Sequence, residues 1–447
     1  MRGNSFGRWL GIYGFGESHG KAVGVLIEDI KPGVKFPLAE IQKELDRRRP
    51  DQGEFTSSRK ELDKIEVLSG VIDGKTTGMP ICMIVYNKDQ RSKDYQKLEN
   101  IFRPGHADWS WYKKFKILDW RGGGRASGRE TIARVAAGAV VKDLLGNIKI
   151  TAYTVQIGQI TASYLQEDFN NLLYWPDSET YDQVLNELSK HKENGDSLGG
   201  IIELRINGLP AGLGDPVFAK LDARLSEAIL SIGGVKGIEF GKGFQLAGMS
   251  GSEANDQMSS KGFISNNHGG IQGGISTGKE VVIRIAVKPT SSIRIKQKTI
   301  DIDGKEREIM ITGRHDTCIV FRIIPVVKAM TRLALADCIS YQKLVDNAER
   351  DMIDYREALD KIDEDILLGI KRRHEIVKLI GKYKKENKMK ISDISREKKL
   401  IEKIKIKARL WELDHTVISR IWEKLISYSK KEQKRIIDAD HKPDTLK

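Results

Sequence analysis

RGGGRASGRETIARVAAGAVVKDLLG, residues 121–146, decides how the larger part of this chain is read. Three consecutive glycines give a backbone that can turn where side chains would clash. They run directly into ETIARVAAGAVVKDLLG (130–146), whose apolar residues keep one face at 3.6-residue spacing and predict a helix. A glycine-rich backbone entering a helix N-terminus offers free N–H groups and the positive end of the helix dipole, a general cradle for anions. Arg121, Arg125 and Arg129 add planar donors suited to phosphate.

Outward from this stretch the texture is β-like. ICMIVY (81–86), GGIIELRI (199–206) and KEVVIRIAVKP (279–289) combine β-branched residues with alternation and predict strands. Residues 1–345 therefore read as an α+β domain with long polar loops. The texture changes near residue 350. Gly becomes rare, Pro is absent until Pro443, and three helices are predicted over 351–386, 393–410 and 414–437. Short links make neighbouring helices antiparallel. The expected organisation is thus 1–345, a separate all-α domain at 351–437, and a polar tail at 438–447.

Bulk properties narrow the function. A chain of 447 residues exceeds one ordinary core. No apolar run approaches the length of a membrane span, and the N-terminus has no signal-peptide core, so no membrane association is expected. Cys82, Cys318 and Cys338 have no metal-ligand spacing. They fit a reducing cytoplasm, and no metal site is expected. The net charge of +13 suits nucleic acid or multiply anionic small molecules. No basic run is interleaved with aromatics in the manner of single-strand binders, which argues against nucleic acid.

Three further segments carry chemistry. GFGESHG (14–20) places Glu17 and His19 in a glycine-tightened turn, and RPGHADWSW (103–111) places His106 in a Pro-Gly turn. GRHDTC (313–318) sets Arg314, His315 and Asp316 side by side. A lone glycine cluster is usually a loop and a lone histidine usually structural. Two histidines, two arginine clusters and several glycine loops within one domain suit acid–base work on a phosphorylated, highly anionic ligand.

The helical region carries its own anomaly. Leu359, Ile362, Ile366, Ile370, Val377 and Ile380 form one stripe, expected to be buried, and Arg356, Arg373 and Lys384 lie on it. In the third helix Ile418, Trp422 and Ile426 continue into Ser429 and Gln433. In the second, Asp393, Arg396 and Leu400 share a face, with Glu397 beside them. Cations on apolar faces are costly unless paired or functional, although stems of Lys and Arg can snorkel outward. The whole set suits a buried site for a small dicarboxylate.

GFGESHG, RGGGRASGRET and GRHDTC with the following IIPVVKAM (323–330) resemble the signatures of chorismate synthase, and DRRRP (46–50), KPTSS (288–292) and GGIQGGISTG (269–278) match it too. The resemblance spans nearly all of 1–340. It implies a β-α-β sandwich, a homotetramer, reduced FMN as cofactor and 5-enolpyruvylshikimate 3-phosphate as substrate. The implied reaction is an anti 1,4-elimination of phosphate. His19 would protonate the leaving phosphate, His106 the flavin, and Asp316 would help flavin N5 take up the substrate proton. Arg125, Ser127, Gly278, Lys288, Thr290, Ser291, Ser292 and Arg314 fall at flavin contacts, Arg48 at a substrate or nicotinamide (NADP) contact, and Arg129 with the substrate. An external flavin reductase is a further implied partner. Glu54, Ala126, Gly128 and Tyr13-Gly14 depart from the usual pattern; Glu54 stands where many members carry arginine.

YREALDKIDEDILLGIKRRHEI and DISREKKLIEKI resemble the all-helical chorismate mutase family over 351–437. By position, Arg356 would reach across a dimer to a substrate carboxylate, and Arg373 and Arg396 would grip the carboxylates. Asp393 and Glu397 would hold the ring hydroxyl, Lys384 and Gln433 the ether oxygen, and Ser429 would complete a pocket that needs no cofactor. The product of the first reaction is the substrate of the second. The alternative is a synthase whose mutase-like tail only senses chorismate.

Overall fold

A computed structural model of the chain describes residues 3–49, 53–56, 61–88, 98–165, 171–313, 315–345, 352–410 and 413–438. It separates into two compact units, 1–346 and 347–447.

The first unit is built on two five-stranded antiparallel sheets. One comprises β1 (Ser5–Phe6), β2 (Ile12–Gly16), β3 (Ala22–Ile27), β4 (Glu66–Ser69) and β5 (Ile81–Tyr86), in the order β1-β2-β3-β5-β4. The other comprises β6 (Lys149–Ile157), β7 (Ile160–Thr161), β8 (Gly200–Asn207), β9 (Val235–Phe240) and β10 (Val281–Val287), in the order β9-β10-β8-β6-β7. The three runs read as strands from sequence are β5, β8 and β10.

Ten helices accompany these strands among the described residues. In the first unit they are α1 (Leu38–Arg48), α2 (Asp108–Phe115), α3 (Thr131–Val140), α4 (Tyr181–Glu193), α5 (Leu221–Leu230), α6 (Gly251–Ala254) and α7 (Val320–Val345). Helix α3 packs on β2, β3 and β5, α7 packs on β6 and β8, and the two helices pack on each other. The layers therefore run sheet, helices, sheet. This explains why α3 is buried at every position but Arg134, where the sequence predicted only one apolar face. A helix with sheet on one side and helix on the other has no solvent face to keep polar. Both ends of the unit are tied together: Asp337 Oδ1 on α7 accepts the backbone N–H groups of Arg8, Trp9 and Leu10 at 2.9, 2.7 and 3.0 Å.

The second unit is α8 (Met352–Glu386), α9 (Ile394–Leu410) and α10 (His415–Asp438). Asp393 caps α9 by accepting the Arg396 N–H at 2.9 Å, and Asp414 caps α10 by accepting from Thr416 and Val417. Helix α10 packs against both α8 and α9. It meets the C-terminal half of α8, where an added Cβ at Gly381 would lie 3.4 Å from the Gln433 Cα. One expectation changes here. The α8 stripe is not buried within the second unit: Leu359, Ile362 and Ile366 are exposed, and of the stripe only Val377 is buried. Helix α8 has 35 residues against 24 in α10, so α10 leaves much of the stripe uncovered.

Candidate active sites

Four of the sequence motifs meet in the first unit. His19 lies against Gly122 of the glycine loop, so closely that a Cβ there would sit 2.3 Å from the ring; its φ of +77° also favours glycine. Ser18 Oγ donates to the Gly122 carbonyl at 3.3 Å and is 3.1 Å from His19 Nδ1. With the hydroxyl hydrogen given to the carbonyl, Nδ1–H is the donor to Ser18, which leaves Nε2 as the nitrogen that takes up and gives back a proton. Gly123 faces Arg103, whose guanidinium grips Asp108 through Nε at 2.7 Å and Nη2 at 2.8 Å. That buried pair fixes the Pro104-Gly105-His106 turn.

His106 Nδ1 donates to the Pro104 carbonyl at 3.0 Å, and Nε2 accepts from Ser292 Oγ at 2.9 Å. This is the neutral imidazole. Burial first, then the nearby Arg103 cation, holds its pKa down at about 4. Ser292 belongs to the segment 288–292, where Lys288 Nζ donates to the Gly105 carbonyl and to Ser291 Oγ, both at 2.6 Å. Burial lowers the Lys288 pKa. Thr290 Oγ1 is buried without a hydrogen-bond partner. A cation and three hydroxyls beside His106, one of the hydroxyls orphaned, fit an anionic, acceptor-rich group such as a flavin phosphate. Gly278, at φ +83°, lies apart from these contacts, nearest Ala211.

The arginines behave differently from one another. Arg125 donates to the Gly14 and Gly16 carbonyls at 3.2 and 3.3 Å and to Asn4. Ser127 caps the short turn before α3, accepting from the Arg129 N–H. Arg48 and Arg129 are buried and share Asp63, at 2.5 and 2.9 Å. Arg129 also contacts Glu61 and Asn87. Two guanidinium groups keep the Asp63 carboxyl below its ordinary range despite its burial. Asp316 Oδ2 accepts from Arg322 Nη1 at 2.5 Å. Glu54 is paired with Lys192 at 2.8 Å. Arg314 lies outside the described residues.

In the second unit Arg373 on α8 donates to the Leu425 carbonyl at 3.0 Å and contacts Ser429 Oγ on α10. Gln433, one helical turn on, is buried with its Oε1 unpartnered. A buried amide oxygen without a donor is a costly arrangement that a ligand or solvent molecule relieves. Lys384 Nζ donates to the Ile391 carbonyl at 2.7 Å. Glu397 accepts from Lys430 at 2.7 Å, which lowers its pKa, and from Ser392 at 3.2 Å. Asp393 and Arg396 are exposed at the start of α9. The side chain of Arg356 lies outside the described residues.

The family model for chorismate synthase matches residues 10–340. The chorismate synthase of Syntrophus aciditrophicus (strain SB) is 47% identical over 352 residues, covering 77% of this chain and 99% of that protein. This chain belongs to the chorismate synthase family. The chorismate synthase of Desulfosudis oleivorans is 48% identical over 351 residues, with the same coverage. A crystal structure of chorismate synthase superposes with a TM-score of 0.60 at 30% identity, covering 80% of this chain and 99% of that one. The family model for chorismate mutase type II matches residues 355–434. The chain thus joins a chorismate synthase domain to a chorismate mutase domain.

Several residues of the chorismate synthase domain gave no signal in the sequence. Asp63, Glu61 and Asn87 hold Arg129, and Arg322 holds Asp316, yet each is an isolated polar residue in a loop or a helix start. Among the described residues no helix is long and apolar enough to cross a membrane.

Proposed function

We propose that this chain catalyses two consecutive reactions. The first domain removes phosphate from 5-enolpyruvylshikimate 3-phosphate by anti 1,4-elimination with loss of a ring hydrogen, giving chorismate. The second rearranges chorismate to prephenate. The carrying observation is the convergence of His19, His106, the glycine loop and the 288–292 segment within one unit that also holds Asp316.

Lys288, Thr290, Ser291 and Ser292, with Arg125, Ser127, Gly278 and Arg314, would hold reduced FMN, which would supply electron density for C–O cleavage. His19 Nε2 delivers a proton to the departing phosphate. His106, neutral in the free site, gains proton affinity once anions lie beside it, because they offset the Arg103 and Lys288 charges. The Asp316 carboxylate handles the proton lost from the ring. Arg48 and Arg129 present cationic edges to the substrate from their anchored positions. Such preorganised charge stabilises the negative charge that develops on the departing phosphate.

In the second domain Arg373 and Arg396 hold the carboxylates, with Arg356 supplied by a second copy. Asp393 and Glu397 hold the ring hydroxyl. Lys384 and Gln433 donate to the ether oxygen as its bond breaks, and Ser429 closes the pocket. The exposed stripe of Leu359, Ile362 and Ile366 supports dimerisation of this domain. A tetrameric synthase, a cytoplasmic location and an external flavin reductase complete the proposal.

The test is an anaerobic assay with dithionite-reduced FMN and 5-enolpyruvylshikimate 3-phosphate, following phosphate, chorismate and prephenate together, with chorismate alone in parallel. Phosphate release with prephenate formation in both runs is expected. Chorismate that accumulates unconsumed would make the helical domain a sensor. Absence of phosphate release would remove the synthase activity.

A further inference from the structure

Arg322 stands in the first turn of α7, between Asp316 and an open cleft of about 780 Å3. On one side its Nη1 donates to Asp316 Oδ2 at 2.5 Å, with both side chains less than one-fifth exposed. On the other it lines the cleft together with Arg47, Tyr153, Tyr174 and Lys328. Its own position is set by neighbours in α7: Phe321, Ile323 and Ile324 are all buried. Its Nε is buried without a hydrogen-bond partner, so the guanidinium turns its donors toward Asp316 rather than along its stem.

We propose that Arg322 is a positioning residue for the elimination, fixing the Asp316 carboxylate in the orientation in which it meets the reacting proton. This rests on the reading of Asp316 as the proton-handling group. Asp316 sits in the loop ahead of α7, and the rotamer of its short carboxylate side chain decides where the two oxygens point. A charge-assisted hydrogen bond from a guanidinium anchored on a buried helix selects one rotamer. Displacing a reacting group by about 1 Å costs on the order of 100-fold in rate, so the selection is felt in turnover more than in binding.

The cleft makes the proposal testable, because truncating Arg322 leaves a space that solvent and small cations can enter. Arg322→Ala should lower kcat for phosphate release about 100-fold with little change in KM. Millimolar guanidinium should restore part of the loss in a saturable way, and methylammonium should not, since only the planar ion reproduces the fork. Arg322→Lys, which keeps the charge, should fall between the two and serves if the alanine variant does not fold. Titration of FMN by fluorescence quenching should give an unchanged affinity, and a crystal structure of the variant should show Asp316 rotated. In an Asp316→Asn background Arg322→Ala should add little, because the two act as one unit. Normal phosphate release by Asp316→Asn would refute the role of Asp316 itself. An impaired Asp316→Asn with a normal Arg322→Ala, or additive losses with no guanidinium rescue, would overturn the role of Arg322 alone.

Discussion

Replacing Gly138 with alanine probes how tightly the helical layer is built. Helix α3 passes α7 so closely that a Cβ at this position would lie 2.6 Å from the Ala329 Cα and Cβ and 2.8 Å from its carbonyl oxygen. Ordinary contact begins near 3.4 Å. None of these atoms belongs to a flexible side chain that can swing away, so the helices themselves must part by close to about 1 Å. Overpacking of this kind costs about 1–3 kcal/mol, and the upper end applies where backbone must move. Alanine returns about 1 kcal/mol of helix propensity, leaving a net loss of about 2 kcal/mol. The functional effect should be larger than the thermodynamic one. Helix α3 carries the loop with Ser127 and Arg129, and α7 begins just after Asp316. Parting the helices misaligns the two halves of the site, for about a 100-fold loss of phosphate release. Urea denaturation followed by circular dichroism reads the first quantity, and the anaerobic phosphate assay reads the second. Conversion of added chorismate should be untouched. A variant that gains stability and releases phosphate normally would show that α3 and α7 are not in this contact, and would refute the reasoning.

Other consequences are equally direct. His106 titrates near 4 in the folded chain against an ordinary 6.5, so the unfolded chain binds the proton first, and stability should fall as pH drops from about 6.5 toward 4. Melting temperatures of the parent and His106→Asn across this range should diverge at neutral pH and converge at the acid end. Asp63→Asn strips a shared carboxylate from two buried guanidinium groups and should destabilise the synthase domain by about 3 kcal/mol or more, visible as a lowered denaturation midpoint. Gln433→Ala should lower mutase turnover about 100-fold without altering phosphate release, measured on the two substrates separately.

Local chemistry was legible in the sequence and long-range pairing was not. The strands at 81–86 and 281–287 announce themselves through β-branched runs, and the three C-terminal helices through apolar period and the scarcity of Gly and Pro. The stripe on α8 was equally visible, but a periodic apolar face says only that something covers it, not that the same chain does. Arg48 and Arg129 illustrate the other limit. Arg129, in a glycine loop, reads as a donor for phosphate, and Arg48 stands in an arginine triplet of a kind that commonly faces solvent, whereas each is anchored by Asp63, a residue with no pattern around it. Burial of α3 on all sides was hidden for the same reason: its alanines fit one face or all faces, and only α7, more than a hundred residues of chain later, decides which.

The grip of Asp337 on the amides of Arg8, Trp9 and Leu10 spans 327 residues at its shortest. During translation the first strands emerge long before their anchor exists. Strands β2, β3 and β5 can pair early and take α3 onto their inner face, but the side of α3 turned away from them is covered only when α7 leaves the ribosome. The nascent chain must therefore carry the apolar outer face of α3 uncovered through most of its synthesis, a state in which exposed apolar surface invites chaperones or aggregation. The three helices of the mutase domain follow last and draw on contacts close in sequence, so they can fold promptly after release.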